Sequence, residues 1–367
     1  MNRQVKQKTA RRERSRTVYV GMSGGVDSSV ASALLKKQGY NVVGVFMKPW
    51  QPLDKLGVNQ EFCLWKQDRE DAMRSASVIG IPLLTWDFSK QYKKSVTDYM
   101  IREYKAGRTP NPDVMCNKEI KFGLFLNRAL KEGADYIATG HYIEKRGQKL
   151  YQAKDQNKDQ SYFLWTLTPK QIERCLFPIG GYTKPEVRRL AKKFKLPNHA
   201  KKDSQGVCFI GPLDMKAFLL TYIKPKKGKI LDLEGNIIAE HDGVYYYTIG
   251  QRHGLNIKNG TGPYYVVSKD IKKNTITVGT GAQAGAQDAR VTNINWMVNP
   301  HTYFPAFRTA DGKVGVRVKV RYRTKSVKAI LDKKGLLKFV RPERAVTSGQ
   351  SAVFYRGKQL LGGGIIV

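Results

Sequence analysis

Two cysteines that are far apart in the chain stand in unusual surroundings. Cys116 follows the string N-P-D-V-M, and Cys208 lies between D-S-Q-G-V and F-I-G. Upstream of both lies the string S-G-G-V-D-S, a glycine turn that is suited to binding a nucleotide. A phosphate-binding turn combined with two separated thiols indicates activation of an oxygen atom followed by attack of sulfur.

The glycine turn has the residue types of an anion site. Gly24 and Gly25 let the backbone turn tightly, so that amide N–H groups point at an anion beside a helix N-terminus. Ser23 and Ser28 add hydroxyl donors for phosphate oxygens, and Asp27 is a candidate for holding Mg²⁺. The string is neither G-x-x-x-x-G-K-[ST] nor G-x-G-x-x-G. A tight strand-to-helix connection without a ligand is the alternative.

The string G-R-T-P-N-P-D precedes Cys116. Its two prolines stiffen the loop, which holds polar side chains in place with little ordering cost on binding. Asn111 and Asp113 have the groups to read a base edge, and Asp113 is also a candidate acid or base. A plain helix-to-helix turn, with Asn and Asp as turn formers, is the alternative.

The cysteines by themselves leave structural roles open. Cys208 becomes reactive only if its pKa is lowered, for which Lys201 and Lys202 are nearby cations in the sequence. A buried structural thiol is the alternative for Cys208, and Cys63 and Cys175 are interpreted as structural. The absence of a C-x-x-C pair argues against a zinc ribbon, and the low cysteine content indicates a reducing compartment such as the cytoplasm.

The first half of the chain alternates strands with helices. Strands are predicted over 17–22, 41–47, 82–87 and 136–139, and helices over 26–38, 68–79, 90–105 and 121–132. This alternation predicts an α/β fold with a doubly wound parallel sheet. Ligands bind such sheets at the carboxyl ends of the strands. The glycine turn, Met47 and Gly140-His141 all fall at those ends.

The second half has a different texture. A helix over 213–223 precedes short strands that are separated by Gly, Asn and Asp. Between Val314 and Arg323, apolar residues alternate with mostly basic ones, which predicts a strand with one apolar and one basic face. We predict a disordered basic arm (1–16), a nucleotide-binding domain (17–211), a small central β-rich domain (212–285) and a C-terminal β-barrel (286–367).

Charge indicates a polyanionic partner. The chain of 367 residues has 65 Lys+Arg against 30 Asp+Glu, a net charge of +35. Such an excess favours nucleic acid, although a lysine-rich proteome is an alternative cause. No apolar run approaches the roughly 20 residues that span a bilayer. The basic N-terminal arm lacks the apolar core of a secretory signal; a mitochondrial transit peptide remains an alternative.

A dense set of strings resembles the tRNA-specific 2-thiouridylases, members of the PP-loop N-type ATP pyrophosphatase superfamily. The resemblance runs from about residue 17 to the C-terminus, in the order of that family. It rests on S-G-G-V-D-S, G-R-T-P-N-P-D, C-N-K-E-I-K-F, A-T-G-H-Y, K-D-Q-S-Y-F-L, F-P-I-G, D-S-Q-G-V-C-F-I-G, T-I-G-Q-R-H-G-L and G-Q-S-A-V-F-Y.

The resemblance implies that ATP, with Mg²⁺, adenylates the C2 oxygen of the wobble uridine in lysine, glutamate and glutamine tRNAs, and that sulfur then replaces this oxygen. It implies that Cys208 carries the sulfur as a persulfide and that Cys116 is the nucleophile that releases it, closing a transient disulfide. A cysteine desulfurase or a sulfur-relay protein is the implied donor, and a monomer is the simplest expectation.

The same resemblance assigns the binding residues. For ATP they are Gly21, Met22, Ser23, Gly24, Gly25, Val26, Asp27, Ser28, Met47 and Gly140. For the flipped target base they are Asn111, Pro112 and Asp113, and for other parts of the tRNA His141, Lys158, Asp159, Gln160, Arg321, Tyr322 and Gln350.

Three alternatives stay open. One is another PP-loop enzyme, a ligase or amidotransferase, which needs no cysteine pair. The second is a tRNA-binding protein without catalysis, and the third is thiolation through an iron–sulfur cluster held partly by Cys116 and Cys208.

Overall fold

A computed structural model describes residues 15–48, 50, 64–203, 214–257, 262–281, 285–298 and 313–367. Cys63 and Cys208 therefore lie outside the described residues, and so do residues 1–14 of the predicted basic arm (1–16). None of the described helices is both long enough and apolar enough to cross a membrane.

The first part of the chain forms a parallel sheet. Its strands are β1 (Thr17–Gly21), β2 (Asn41–Lys48), β3 (Leu83–Asp87), β4 (Tyr136–Thr139) and, numbered after an intervening hairpin, β7 (Cys175–Leu176). Their order is β3-β2-β1-β4-β7, and every pairing is parallel. β1 therefore lies centrally between β2 and β4, where Val18 and Val20 are fully buried. The α/β class with a doubly wound parallel sheet is confirmed.

Helices connect these strands. The first are α1 (Val26–Lys37), α2 (Leu64–Ile79), α3 (Ser89–Tyr92), α4 (Asp98–Lys105), α5 (Pro112–Met115) and α6 (Leu126–Lys131). Later come α7 (Pro169–Glu173), α8 (Lys184–Lys193) and α9 (Met215–Leu220). A π-helical segment, Lys93–Thr97, joins α3 to α4, and a second, Cys116–Phe125, joins α5 to α6. The helix predicted over 121–132 thus begins earlier, at Pro112, because Asn111 and Pro112 supply a helix cap and first turn.

The second part of the chain forms a small sheet. Its strands are β8 (Gly228–Leu231), β9 (Ile237–His241), β10 (Tyr265–Asp270) and β11 (Thr275–Gly279), in the order β10-β11-β8-β9. Their buried residues, among them Ile230, Val266 and Ile276, form a separate core. The predicted central β-rich domain is therefore present as a sheet with its own core.

The third part is a closed barrel. Its strands are β12 (Gly285–Trp296), β13 (Val314–Lys319), β14 (Val327–Leu331), β15 (Leu336–Arg344), β16 (Ser351–Arg356) and β17 (Gln359–Ile366). They follow the order β12-β15-β14-β13-β16-β17, and β12 also pairs with β17, which closes the sheet. On β13, Val314, Val316 and Val318 face the barrel core, as the alternation predicts. The predicted C-terminal β-barrel is confirmed.

A hairpin from the first domain extends the barrel sheet. It consists of β5 (Ile143–Arg146) and β6 (Lys149–Gln152), and β6 pairs with β17. The segment that follows the hairpin then packs against the barrel, where the Trp165 indole donates to Ser351 Oγ at 2.9 Å and Asn295 donates to Trp165 O at 2.7 Å. One buried cluster includes both Trp165 and Tyr355. The barrel and the first domain therefore share a continuous core.

Candidate active site

The glycine loop, residues 23–28, joins β1 to α1 at the carboxyl edge of the parallel sheet. Gly24 has φ +76°, and a Cβ on it would lie 2.1 Å from the carbonyl oxygen of Asp68, so only glycine fits. Gly25 is the N-cap residue of α1, and no side chain caps this helix. Hydrogen bonds within the loop stabilise its conformation, since Ser28 Oγ accepts from Ser23 N and donates to Gly25 O, both at 3.2 Å. The first amides of α1 are consequently in place for an anion.

Asn198 supports this loop from outside it. Its amide nitrogen donates to Gly24 O and to Ser29 Oγ, both at 3.0 Å, and the side chain is 6% exposed. Nothing in the local sequence around Asn198 signals this role, because the two partners are more than 160 residues away in the chain. Asn198 is a loop-supporting residue that the sequence does not reveal.

The residues assigned to the adenosine lie beside the loop. A Cβ on Gly21, the last residue of β1, would lie 3.0 Å from the end of the Met47 side chain. A Cβ on Gly140 would lie 2.7 Å from the amide nitrogen of Ser28. These two glycines let β1 and the segment after β4 approach Met47 and the start of α1 closely. Gly21, Met47, Gly140 and the loop are thus brought together, and Met22 and Val26 are buried within the same edge.

A chain of ion pairs begins at the glycine loop. Lys184 Nζ lies 2.8 and 3.0 Å from the two carboxylate oxygens of Asp27 and 2.7 Å from Asp203 Oδ1. Tyr142 donates its hydroxyl to Asp27 Oδ1 at 2.8 Å. Burial, and then the Asp27 charge, raises the pKa of Tyr142, so this hydroxyl stays protonated. Asp27 is therefore held by two donors, of which Lys184 is a cation shared with a second carboxylate.

Lys184 is fixed by the start of α8. Its backbone N–H donates to Asp155 Oδ2 at 2.9 Å, and Glu186 accepts from the N–H and the hydroxyl of Thr183 just before it. The string T-K-P-E predicts that a helix begins here, but it does not predict that the Lys184 side chain pairs with Asp27. The Lys184 side chain is 11% exposed.

Asp203 is the acidic centre of the same network. Besides Lys184 it contacts Lys158 Nζ at 2.5 Å and Arg188 Nη2 at 2.9 Å. Burial by itself would raise the pKa of Asp203, but the hydrogen bonds from Lys158 and Lys184 outweigh it and lower the pKa to about 2. Lys158, a residue assigned to tRNA contact, is thereby connected through Asp203 and Lys184 to Asp27.

The lysines that precede Cys208 are placed differently from each other. Lys201 Nζ lies 2.7 Å from Asp68 and 2.6 Å from Asp71 on α2, whereas Lys202 is exposed. Cys208 itself lies outside the described residues, so its pKa and its distance from Lys201 stay predictions. Cys175, by contrast, is buried in β7, where burial raises the pKa of its thiol to about 12. This agrees with a structural role for Cys175.

Cys116 lies in the first turns of the helix that leads to β4. Asn111 caps this helix by accepting from Val114 N at 3.2 Å, and Pro112 occupies its first turn. Further along the same helix, Phe122 contacts His141 just after β4, and Phe125 contacts Trp86 near the end of β3, so the helix packs against the carboxyl half of the sheet. Asn111, Pro112 and Asp113 at its start are half-buried. Cys116 is fully buried and is not in a disulfide.

Asn117, next to Cys116, was not singled out by its sequence. The side chain is 3% exposed and donates to Phe163 O at 3.4 Å. Among the described residues, its Oδ1 has no hydrogen-bond partner although it is buried. Asn117 thus connects the Cys116 helix to the K-D-Q-S-Y-F-L segment.

Three residues assigned to tRNA contact have internal partners. His141 is 6% exposed, and its Nδ1 lies 2.8 Å from Thr139 Oγ1; burial, and then Lys121, holds its pKa well below the ordinary value. Asp159 is 3% exposed and binds Lys319 Nζ at 3.1 Å. Gln160 accepts from Tyr142 N at 2.9 Å. In this conformation the side chains of His141 and Asp159 are not at the surface, and Lys319 does not belong to an open basic face of β13.

Three further assigned residues lie on the barrel. Arg321 is half-buried and donates to Ile249 O of the central domain at 2.9 Å. The ring of Tyr322 lies 4.4 Å from that of Phe163, centroid to centroid. Gln350 donates to Thr109 O at 2.9 Å and to Pro110 O at 3.3 Å. Thus Gln350 borders the loop that contains Asn111 and Asp113, whereas Arg321 contacts the central domain and Tyr322 contacts the K-D-Q-S-Y-F-L segment.

The described residues hold no group of three or more His, Cys, Asp and Glu that fits a metal ion. What they do provide is a helix start at α1 suited to an anion, a network of cations and carboxylates that runs from Asp27 through Lys184 and Asp203 to Lys158, and a buried thiol at Cys116. This arrangement suits transfer chemistry on a phosphate ester.

A parallel sheet of order β3-β2-β1-β4-β7, with S-G-G-V-D-S between β1 and α1, defines a PP-loop nucleotide-binding protein. The model of the tRNA methyl transferase HUP domain matches residues 16–212. The models of the tRNA methyl transferase PRC-barrel domain and of the aminomethyltransferase beta-barrel domain match 216–280 and 286–366.

Curated relatives identify the particular family. A tRNA-specific 2-thiouridylase MnmA of Bacillus pumilus is 46% identical over 98% of this chain and 96% of its own. That of Geobacillus thermodenitrificans is 46% identical over 95% and 94%, and that of Neisseria meningitidis serogroup A is 47% identical over 95% of both. The chain belongs to the tRNA-specific 2-thiouridylase family.

Proposed function

We propose that this protein is an ATP-dependent sulfurtransferase that converts the wobble uridine of lysine, glutamate and glutamine tRNAs to 2-thiouridine. The observation that carries the proposal is the glycine loop at the carboxyl end of β1 together with a helix, containing Cys116, that packs against the carboxyl half of the same sheet. Family membership over nearly the full chain supports it.

ATP is the activating substrate. The amides at the start of α1, with Ser23 and Ser28, are suited to its phosphates, and Gly21, Met47 and Gly140 are suited to its adenosine. The C2 oxygen of uridine attacks the α-phosphorus, pyrophosphate leaves, and the oxygen becomes part of an AMP leaving group. Lys184, already beside the loop, adds a cation near the charge that develops on the phosphates.

Mg²⁺ is proposed to arrive with ATP. Asp27 is the acidic residue of the loop, and Lys184 now contacts both of its oxygens. Lys184 would therefore have to withdraw from Asp27 before that carboxylate could hold the ion, and the neighbouring Asp203 is in place to keep the Lys184 ammonium paired.

Sulfur transfer requires the two cysteines. The terminal sulfur of a persulfide on Cys208 attacks C2, AMP leaves, and a C2–S–S–Cys208 linkage results. The thiolate of Cys116 then attacks Sγ of Cys208, which releases 2-thiouridine and leaves a Cys116–Cys208 disulfide for a cellular reductant. Because Cys116 is fully buried, this second attack requires local opening of its helix.

The target base is proposed to leave the anticodon stack and to bind Asn111, Pro112 and Asp113, with Asp113 as the candidate acid or base. Lys158, Gln160, Arg321 and Tyr322, all of them half-buried, are proposed to contact other parts of the tRNA. Direct contacts from His141, Asp159 and Gln350 stay predictions, since the side chains of His141 and Asp159 are buried and the Gln350 amide is bonded to the backbone of Thr109 and Pro110.

The partners follow from this chemistry. A cysteine desulfurase or a sulfur-relay protein supplies the persulfide, and a cytoplasmic location supplies the reductant that reopens the disulfide. A monomer that binds one tRNA is the simplest arrangement.

The test combines unmodified lysine tRNA, the protein, ATP with Mg²⁺ and a persulfide donor, and measures 2-thiouridine and AMP. Wild-type protein is expected to form both in equal amounts. Cys116→Ser and Cys208→Ser are expected to form no 2-thiouridine. Cys175→Ser is the matched control, because that thiol is also buried but is assigned no role, and it is expected to keep full activity.

Two results would contradict the proposal. Folded wild-type protein that binds ATP and tRNA but forms no 2-thiouridine with a competent donor would exclude the reaction. A Cys208→Ser protein with unchanged ATP turnover would instead favour a PP-loop enzyme that needs no sulfur carrier.

A further inference from the structure

We propose that Gly349 and Gln350 of the barrel are positioning residues for the N-P-D loop, residues 107–113, so that the barrel sets where the target base is held. This inference rests on the proposed function, since it concerns the loop assigned to the base. It gives Gln350 a different role from direct contact with RNA, because its amide is engaged with protein backbone.

The barrel contacts the first half of the loop through backbone groups. Thr109 N donates to Ser348 O at 2.8 Å, and Gln350 Nε2 donates to Thr109 O and Pro110 O. These bonds satisfy both backbone polar groups of Thr109, which is buried together with Pro110. The loop is thus fixed immediately before Asn111.

Gly349 makes this approach possible. It has φ +91°, and a Cβ on it would lie 2.8–2.9 Å from the backbone N, C and O of Thr109. Backbone atoms cannot move aside as the end of a flexible side chain can. A side chain at position 349 would therefore displace the loop itself.

The central domain completes the support. Thr109 Oγ1 lies 3.2 Å from Thr248 Oγ1, and a Cβ on Gly107 would overlap the Ile271 side chain. The central segment is in turn held by the barrel, because Ile249 O accepts from Arg321 Nη2 at 2.9 Å and from Thr347 Oγ1 at 3.3 Å. Residues from all three domains therefore fix the first half of the loop, residues 107–110.

The consequence for the reaction is geometric. The supported residues are buried, whereas Asn111, Pro112 and Asp113 at the far side of the loop are half-buried and accessible. Adenylation needs the C2 oxygen in line with the α-phosphorus, and a displacement of about 1 Å is enough to cost about 100-fold in rate. Gly349 and Gln350 thus act on the reaction through the loop.

The experiment compares Gly349→Ala, Gln350→Ala and Gln350→Glu with Gly357→Ala. Gly357 also has a positive φ, +56°, but nothing lies within 4 Å of its Cβ position, so Gly357→Ala strains the barrel without touching the loop. Gln350→Glu keeps the shape of the side chain while placing oxygen, an acceptor, against two carbonyls. The measurements are the single-turnover thiolation rate, the Kd values for tRNA and ATP, and amide hydrogen exchange of the peptide that covers 104–115.

The three variants at positions 349 and 350 are expected to lower the single-turnover thiolation rate at least about tenfold. The Kd values for tRNA and ATP should stay within about twofold of wild type, and hydrogen exchange of the Thr109 amide should become faster. Gly357→Ala is expected to leave all four quantities unchanged. A Kd for tRNA that rises as much as the rate falls would assign Gln350 to RNA contact and overturn the inference. So would rates and exchange that match the control.

Failure of the proposed function gives a different pattern. Wild-type protein would then form no 2-thiouridine, while hydrogen exchange would still show whether positions 349 and 350 fix the loop.

Discussion

At the residue scale, the feature with the widest consequences is one ammonium group shared by two carboxylates. Lys184 contacts Asp27 in the glycine loop and Asp203 beyond α8. The Lys184 side chain is 11% exposed, and its two ion pairs hold it beside the glycine loop. Under the proposed function it is therefore already near the phosphates of ATP, and its pairing with Asp203 persists when it withdraws from Asp27.

Lys184→Met tests this role. The variant removes a charge-assisted hydrogen bond worth roughly 1.5–3 kcal/mol, so we expect the Kd for ATP to rise about tenfold or more. Titration calorimetry with ATP measures it. Lys192→Met, an exposed lysine on the same helix, is the matched control and should bind ATP as wild type does. A Kd for Lys184→Met within about twofold of the control would remove Lys184 from the nucleotide site.

Prediction from the sequence succeeded where the signal is local. The S-G-G-V-D-S string and the strand before it place Asp27 at the start of a helix. The pairing of Asp27 with Lys184 was beyond reach, because 157 residues separate the two and neither string indicates the other. The same holds for Asn198 and for the bonds from Gln350 to Thr109.

At the element scale, periodicity predicted most strands and helices of the first domain. Two features departed from it for physical reasons. The helix that contains Cys116 begins at Pro112, within the N-P-D loop, because Asn111 acts as its N-cap; in the sequence, Asn111 could equally have been a turn residue. The β5–β6 hairpin joins the barrel sheet through pairing of β6 with β17, more than 200 residues away in the chain. The alternation of residues in a short strand such as β6 does not indicate which other strand it will pair with.

Strand β10 of the central sheet contains a half-buried lysine, Lys269. Lys269 Nζ donates to Tyr247 O at 2.7 Å, and burial lowers the pKa of Lys269 to about 8. Between about pH 8 and the ordinary lysine pKa of about 10.4, the unfolded state therefore binds more protons than the folded state. The wild-type protein gains stability as pH rises through that window.

Lys269→Met should remove this pH dependence. At about pH 7 the variant is expected to be more stable than wild type by about 1–2 kcal/mol, because the cost of burying a charge exceeds the lost hydrogen bond. The difference should shrink toward about pH 10. Urea unfolding at several pH values measures it, with Lys272→Met in the adjoining exposed turn as the control. A difference that is independent of pH would contradict the assignment.

At the scale of the whole molecule, groups from three domains meet at the N-P-D loop. The barrel and the first domain are joined by a common core that includes Trp165 and Tyr355. Thr248 of the central domain contacts Thr109, and Gln350 of the barrel contacts the same loop. A tRNA bound there would meet groups from every domain, so the position of each domain bears on the same reaction.

The net charge of +35 is also a property of the whole molecule. Where the charged residues lie on the surface distinguishes a role in RNA binding from a general excess of lysine. Arg323 and Lys325 are exposed in the turn after β13, next to Arg321 and Tyr322. Lys36 and Lys37 are exposed at the far end of α1, away from the carboxyl edge of the sheet. If the charge serves RNA, the first pair should matter to binding and the second should not.

Salt titration separates the two explanations of the charge. The affinity of wild-type protein for lysine tRNA should fall linearly with salt on a double-logarithmic plot, since each neutralised phosphate releases counterions. Arg323→Gln with Lys325→Gln is expected to reduce the slope by about 1.4–1.8, at roughly 0.7–0.9 for each phosphate contact. Lys36→Gln with Lys37→Gln should leave it unchanged. Equal effects from both pairs would mean that the charge acts as a diffuse property of the chain, as a lysine-rich proteome produces, and not through the surface that contains Arg323 and Lys325.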